Sequence, residues 1–331
     1  ILKKLKFFFC ISISLLCLYI ITKKMNIDNV FNSFKQINFI YLIPIFIFLS
    51  LFYLGVAYRW QIMFIDFRKR PHFRNIFKIT IMNYMGNSIM PARLGELMRI
   101  YLIKKKENIK PVSTLATIAL EKVFDGLAIM SIFIIVLFFS KATKYNIYSF
   151  ESLSYAQLKH WGYIFSGAYV FCTFILFILR NQIIFLARTT KPKFKSISNF
   201  LVKFVRGLSA FKNFKDISSV YIYSILLWIA HSLTIYFCLK ACNVDVPLAA
   251  SFFLLAFIGL AYFIPSSPGA IGTIEFFIIL GLSCYGVDKD KALAFALIYH
   301  VIEILPVSIL GFYYFIGESI NVKEIEKNIK S

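Results

Sequence analysis

Asn87-Ser-Ile-Met-Pro91-Ala-Arg93-Leu-Gly95-Glu96 and Pro265-Ser-Ser-Pro268-Gly269-Ala-Ile-Gly272-Thr-Ile-Glu275 are the stretches whose reading decides the fold. Each interrupts an apolar run, and each contains Pro-x-x-x-Gly, at Pro91 to Gly95 and at Pro268 to Gly272, an offset of 177 (268 − 91). Proline lacks a backbone donor and clashes with the preceding turn, so a helix breaks at each stretch. Inside a bilayer, broken backbone is tolerated only when buried in protein or lining a wet cavity. Interrupted helices in matching positions of two halves point to a transport site at their interface.

The surrounding chain is membrane-grade. Of 331 residues, 59% are hydrophobic and mean hydropathy is +0.74, against roughly 45–50% apolar in soluble domains. A crossing helix needs about 20 mostly apolar residues. Runs at 7–22, 39–65, 112–140, 160–179, 218–240 and 291–316 satisfy that. The arms on either side of the two breaks, 76–90 with 94–103 and 248–264 with 273–284, are too short to cross. The expectation is an all-α polytopic membrane protein with six full spans plus two re-entrant helical hairpins. Lys3, Lys4 and Lys6 ahead of the first run resemble a signal peptide, but no small-residue cleavage site follows Ile21, so the first span is read as uncleaved.

The net charge of +21 raises nucleic acid as a partner, but the positive-inside rule accounts for it. With the N-terminus in the cytoplasm, the inner loops carry 23 Lys and Arg and the outer ones 9. That orientation sets the localisation as the cytoplasmic membrane with both termini inside. It also puts the first hairpin on the inner side and the second on the outer. Segments 39–140 and 218–316 then match in order and are opposed in direction, an inverted-topology repeat. Leu120-Glu-Lys-Val123 and Ile298-Tyr-His-Val301 add a second match at offset 178 (298 − 120). Residues 1–38 supply the first span and outer loop, 141–217 a linker span and basic segment, and 317–331 a tail. The whole is one integral membrane domain.

Ionisable residues at membrane depth default to functional roles. Glu121, Lys122 and Asp125 lie roughly 15–21 Å into their span at 1.5 Å per residue. Glu121 and Asp125 share a face, and spacing pairs Lys122 with Asp125; a charge-neutral packing cluster is the alternative. Arg93 sits in the first break beside a helix N-terminus, which favours anions. Glu96 follows it; Arg99 either joins the site or snorkels to the interface. In the second break Ser266, Ser267 and Thr273 suit capping of the next helix, Gly269 and Gly272 suit tight turns, and Glu275 is an acid on an apolar helix. His300 and Glu303 share a face of the last span, mirroring Lys122 and its acids; titration near neutral pH and a satisfied buried histidine are equal readings of His300. Arg59 is read as a snorkelling residue.

The remaining features are weaker. Phe200, Phe204, Leu208 and Phe211 among the basic residues of 180–217 suit an amphipathic helix on an anionic cytoplasmic leaflet, or an ordinary positive loop. The six cysteines lie in or beside apolar segments and form no Cys-x-x-Cys, so they read as packing residues, with no metal site and no cofactor implied. Asp288-Lys-Asp290 resembles a metal-binding D-x-D but reads as a turn. No nucleotide-binding or hydrolase motif is found, so no enzyme is expected.

Asn87 to Glu96, Leu120-Glu121-Lys122 with Asp125, and Pro265 to Glu275 together resemble the lysylphosphatidylglycerol synthase transmembrane, flippase-like family. The resemblance covers nearly the whole chain, as for a standalone member. That family includes the flippase half of the multiple peptide resistance factor, which translocates an aminoacylated phospholipid. The resemblance implies a flippase of a phospholipid or other phosphate-bearing lipid, with Pro91, Gly95, Pro268 and Gly269 as structural breaks. Lys122 and His300 stand where the family more often has Arg. The soluble aminoacyl-transfer domain is absent from these residues, so synthesis of lysyl-phosphatidylglycerol is not expected. A lipid-linked glycosyltransferase-type enzyme and an accessory membrane subunit are the rival classes, and a homo-oligomer is left open.

Overall fold

In the computed structural model, residues 2–22, 27–64, 70–90, 94–139, 155–179, 182, 214–264 and 266–318 are described. Among them every regular element is helical. In chain order these are α1 (Leu2–Thr22), α2 (Ile27–Lys35), α3 (Leu42–Ile62), α4 (Phe73–Ile89), α5 (Leu94–Glu107), α6 (Pro111–Phe139) and α7 (Tyr155–Ile178). They continue as α8 (Phe214–Ala241), α9 (Leu248–Phe263), α10 (Thr273–Ser283) and α11 (Lys289–Gly317). Four stretches are long and apolar enough to cross a membrane: Phe39–Ile62, Ser113–Phe139, Ile217–Ala241 and Lys289–Gly317. α1 and α7 stand where the other two expected spans lie. Exposed Leu51, Leu54, Phe138, Leu305, Ile309 and Phe312 give the long helices an apolar outer face. A patch that size needs a cover, and lipid supplies it for a multi-pass membrane protein.

Both expected breaks are present, and their chemistry is local. The residue before a proline is pushed to extended backbone. Met90 (φ −92°, ψ 143°) precedes Pro91 and ends α4. Ile264 (φ −78°, ψ 129°) precedes Pro265 and ends α9. The arms that result are short: α10 has 11 residues, about 16 Å at 1.5 Å per residue, half of a ~30 Å hydrocarbon core. Pro91 and Arg93 lie outside the described residues.

α11 is the ruler against which the hairpins are placed. The open end of the first hairpin sits at the C-terminal end of α11, where Lys106 pairs with Glu318 at 2.6 Å and Phe77 meets Tyr314. Nearer its tip, a Cβ on Gly311 would lie 2.6 Å from the Met85 Cβ. The second hairpin's open end leads through Asp288, whose carboxylate caps the start of α11 by accepting from the Asp290 and Lys291 amides. Its tip turn, Pro268–Ala270, reaches the middle of α11 and the last turn of α4. A Cβ on Gly269 would stand 3.1 Å from the Ser88 carbonyl and 3.3 Å from Ile304. The hairpins therefore approach from opposite ends of α11 and meet tip to tip beside His300.

Packing between the halves is reciprocal. α4 packs on α11, while α9 packs on α6. α3 and α8, which open segments 39–140 and 218–316, pack on each other. Close backbone approach is built in at both breaks. A Cβ on Gly95 would fall 2.1 Å from the Asn83 carbonyl, and one on Gly272 (φ 88°) 2.6 Å from the Ser14 carbonyl of α1. Only glycine fits either contact. The segment between Leu179 and α8, with the amphipathic reading of 180–217, lies outside the described residues apart from residue 182 and the first turn of α8.

Candidate functional site

Three ion pairs tie α6 to its neighbours. Arg99 of α5 forks onto Glu121, with Nη1 donating to Oε1 at 3.0 Å and Nη2 to Oε2 at 2.6 Å. Their side chains are 1% and 4% exposed. The guanidinium lies 3.6 Å from the centre of the Trp60 ring, whose indole N–H donates to Thr117. Planar, bidentate and stacked recognition is the use that sets Arg apart from Lys. Arg99 is a buried structural cation, and the snorkelling reading fails. One turn along, Asp125 accepts from Arg59 Nη1 at 2.6 Å and from the Trp228 indole at 3.0 Å. The same Nη1 reaches Ser224 at 2.7 Å.

Two expectations are corrected here. Arg59 does not snorkel: it is 1% exposed and knits α3 to α6 and α8. Lys122 does not pair with Asp125, because α3 supplies Asp125 with a cation at closer range. Lys122 turns the other way, is 58% exposed, and meets Glu96 at 3.4 Å. Glu96 also lies 4.0 Å from Arg99. The three described cations and three acids of this cluster balance. Lys122 is the cation held by a single contact.

The second cluster is built at the other tip. Glu275 takes the Gly272 amide at 2.6 Å and contacts His300 Nδ1, whose Nε2 lies 2.9 Å from the Gly269 carbonyl. The carboxylate therefore caps α10, and the expected hydroxyl caps are not used. Thr273 donates back to the Ala270 carbonyl at 2.8 Å. Ser267 gives its amide to Ser14 at 2.9 Å and its hydroxyl to the Ile271 carbonyl at 3.2 Å. Glu303 sits one turn beyond His300, with Oε2 buried and unpartnered.

The two clusters share one construction. Glu96 and Glu275 are each the third residue of a hairpin's second arm. Each pairs with a base on the next long helix, Lys122 or His300. The offsets, 179 (275 − 96) and 178 (300 − 122), are within two residues of the 177 and 178 found between the matched sequence stretches. The sequence offered this correspondence, since the Glu-Lys and Tyr-His matches already align. It gave no sign of Ser224 or Trp228, ordinary residues of an apolar span. Of the expected site residues, Glu96, Arg99, Glu121, Lys122 and Asp125 gather at the first tip. Ser267, Gly272, Glu275 and His300 gather at the second. Arg93 lies outside the described residues.

Comparison with known proteins places the chain among its relatives. The family model described as "Lysylphosphatidylglycerol synthase TM region" matches residues 7–311. The chain is similar to two proteins of Methanocaldococcus jannaschii. UPF0104 membrane protein MJ1078 is 27% identical over 74% of this chain and 98% of its own length. UPF0104 membrane protein MJ1595 is 24% identical over 95% of each. Glycosyltransferase AglD of Haloferax volcanii is 26% identical over 75% of this chain, a region that makes up 44% of that protein.

Proposed function

The chain belongs to the lysylphosphatidylglycerol synthase TM-region family, and on that premise we propose that it moves a phospholipid or other phosphate-bearing lipid across the cytoplasmic membrane. In this reading the six long helices cross the bilayer, both termini are cytoplasmic, and the hairpins are re-entrant elements of an inverted repeat. The observation that carries it is the repeated acid–base pair, Glu96–Lys122 and Glu275–His300, one at each tip. Reciprocal packing of α4 on α11 and α9 on α6 supports the inversion. An intramembrane charge is costly unless paired, and a polar pair at each tip offers a headgroup two successive stations. Lys122 is the anion contact: it is exposed and held by one carboxylate that a phosphate can displace. Arg99–Glu121 and Arg59–Asp125 position the helices and stay paired. The cargo is the membrane phospholipid itself, and the basic segment 180–217 rests on the anionic leaflet. No cofactor, nucleic acid or catalytic step enters.

The test is a proteoliposome assay in which dithionite quenches a fluorescent phospholipid only in the outer leaflet. Lys122→Ala and Glu275→Gln lower the rate at least tenfold while the purified proteins keep their melting behaviour. Variants that move lipid as fast as wild type sink the assignment. The name of the Haloferax relative favours a second reading, a lipid-linked sugar transferase. Asp288, the acid that would begin its metal motif, is engaged as the cap of α11. Turnover of a labelled sugar donor by the purified protein would establish that reading instead.

A further inference from the structure

Between the two tips, α8 carries a histidine that none of the ion pairs uses. His231 is 4% exposed. It is flanked by Phe52, with ring centroids 4.6 Å apart, and by Trp228 at 5.6 Å. Its Nε2 lies 3.1 Å from the Tyr299 hydroxyl, and its Nδ1 is buried without a partner. Whichever nitrogen carries the proton of the neutral ring, one polar atom is left unsatisfied, a cost of about 1–3 kcal/mol. Phenylalanine would fill the same aromatic slot without that cost. Packing alone does not explain a histidine here.

The second half of the arrangement is on α11. Tyr299 and Glu303 are four residues apart, so they share one face, and that face meets α8. The Glu303 Oε2 is buried without a partner. Among the described residues it has no cation within ion-pair distance. Glu303 is half-buried, and its inward oxygen gains from a proton or cation brought beside it. The other titratable groups around the pair are His300 of α11, one turn from Glu303, in its electrostatic range and itself engaged by Glu275, Tyr53 of α3, whose hydroxyl lies 3.4 Å from the Glu303 carbonyl and in hydrogen-bond reach of its side chain, Tyr84 of α4 beside Tyr53, Tyr262 of α9 in electrostatic range of Tyr299, and Cys238 of α8 in range of Glu303. Of these only His300 can carry a positive charge, and it is held by Glu275. A single proton taken from water onto the free imidazole nitrogen converts a neutral ring into a cation that offsets the Glu303 carboxylate, whose Oε2 has no other partner.

We propose that His231 and Glu303 form a proton-binding site, separate from the tip ion pairs, through which a transmembrane pH gradient drives lipid movement. The site lies on the seam between halves: α8 belongs to the second half and packs on α3 of the first, and Tyr299 adjoins His300 of the second tip. Protonation fixes the Tyr299 hydroxyl as acceptor and draws α8 toward α11, which biases the hairpin that α11 holds. The driving role rests on the transport reading above; the binding role does not.

Two measurements decide it. The first follows 15N-labelled histidine in nanodiscs by NMR, with the His231 signal assigned as the one missing from His231→Gln. His231 titrates between about pH 5 and 8, the range where imidazoles change charge, and Glu303→Gln moves its midpoint down by at least one pH unit. A ring that stays in one state, or a midpoint unmoved by Glu303→Gln, overturns the site. The second compares lipid movement with and without an imposed pH gradient. Wild type speeds up at least threefold, while His231→Gln keeps the gradient-free rate and loses the acceleration. Wild type that moves lipid at one rate under both conditions overturns the coupling and leaves the transport reading standing. Wild type that moves no lipid sinks the transport reading and the coupling together, and the NMR titration still decides the site.

Discussion

Glu121→Gln is the most informative single change in this molecule. The carboxylate is 4% exposed and takes both terminal nitrogens of Arg99, itself 1% exposed. After the change the guanidinium keeps one strong acceptor at most, with Glu96 next at 4.0 Å. Removing one partner of a buried pair costs about 3–5 kcal/mol, because an uncompensated charge stays behind. The stack on Trp60 persists in the variant and cancels from the difference, so the expected loss stays at about 3–5 kcal/mol. The assay is reversible unfolding in mixed micelles, followed by tryptophan fluorescence. Arg99→Met with Glu121→Met removes both charges and recovers most of the loss, since apolar replacement of a buried pair is often neutral or stabilising. A single variant that loses under 1 kcal/mol, or a double variant worse than either single one, refutes a dry, mutually dependent pair.

The other predictions follow from particular contacts. Arg59→Lys destabilises markedly, by about 2 kcal/mol or more, because an ammonium cannot span Asp125 and Ser224 as the guanidinium does; the same unfolding assay reads it. Gly95→Ala and Gly272→Ala each lower the melting temperature in detergent by several degrees, since their Cβ atoms would sit 2.1 and 2.6 Å from backbone carbonyls. Lys122→Gln leaves the melting temperature within one or two degrees of wild type, because the side chain is largely exposed, yet slows lipid movement. Ser14→Ala removes the acceptor of the Ser267 amide and costs about 1 kcal/mol, seen as a lower unfolding midpoint.

Much of this was legible in the sequence because membranes simplify the code. Apolar run length placed the long helices, and Pro91, Pro265 and Pro268 placed the breaks, since proline acts on its immediate neighbours. Acids and bases at depth flagged the tips. What failed was partner choice. Asp125 finds Arg59 across 66 residues, whereas helical spacing proposes only the local Lys122. Arg59 read as interfacial because it lies near a helix end, and its burial depends on α6 and α8 closing over it. His231 was passed over for the same reason: an isolated histidine in an apolar span has no local pattern, and its significance comes from an unpaired nitrogen that only three-dimensional packing reveals. The matched offsets were the one non-local signal in the sequence; they aligned Lys122 with His300, but the partners of both, Glu96 and Glu275, came only from the three-dimensional packing.

The packing of α4 on α11 has a consequence for biogenesis. α11 begins at Lys289, 200 residues after α4 ends at Ile89 (289 − 89), so the first hairpin waits for its principal partner while the intervening chain is made. Long-range pairing of this kind slows folding. During the wait, the α4 surface that carries Ile81 and Met85 has no Gly311 to close on it, and Lys106 has no Glu318. A nascent chain arrested before Lys289 would hold a partly assembled first half, a natural substrate for insertion chaperones and quality-control proteases. α11 therefore locks a hairpin made long before it, and closure of the first half depends on that later helix.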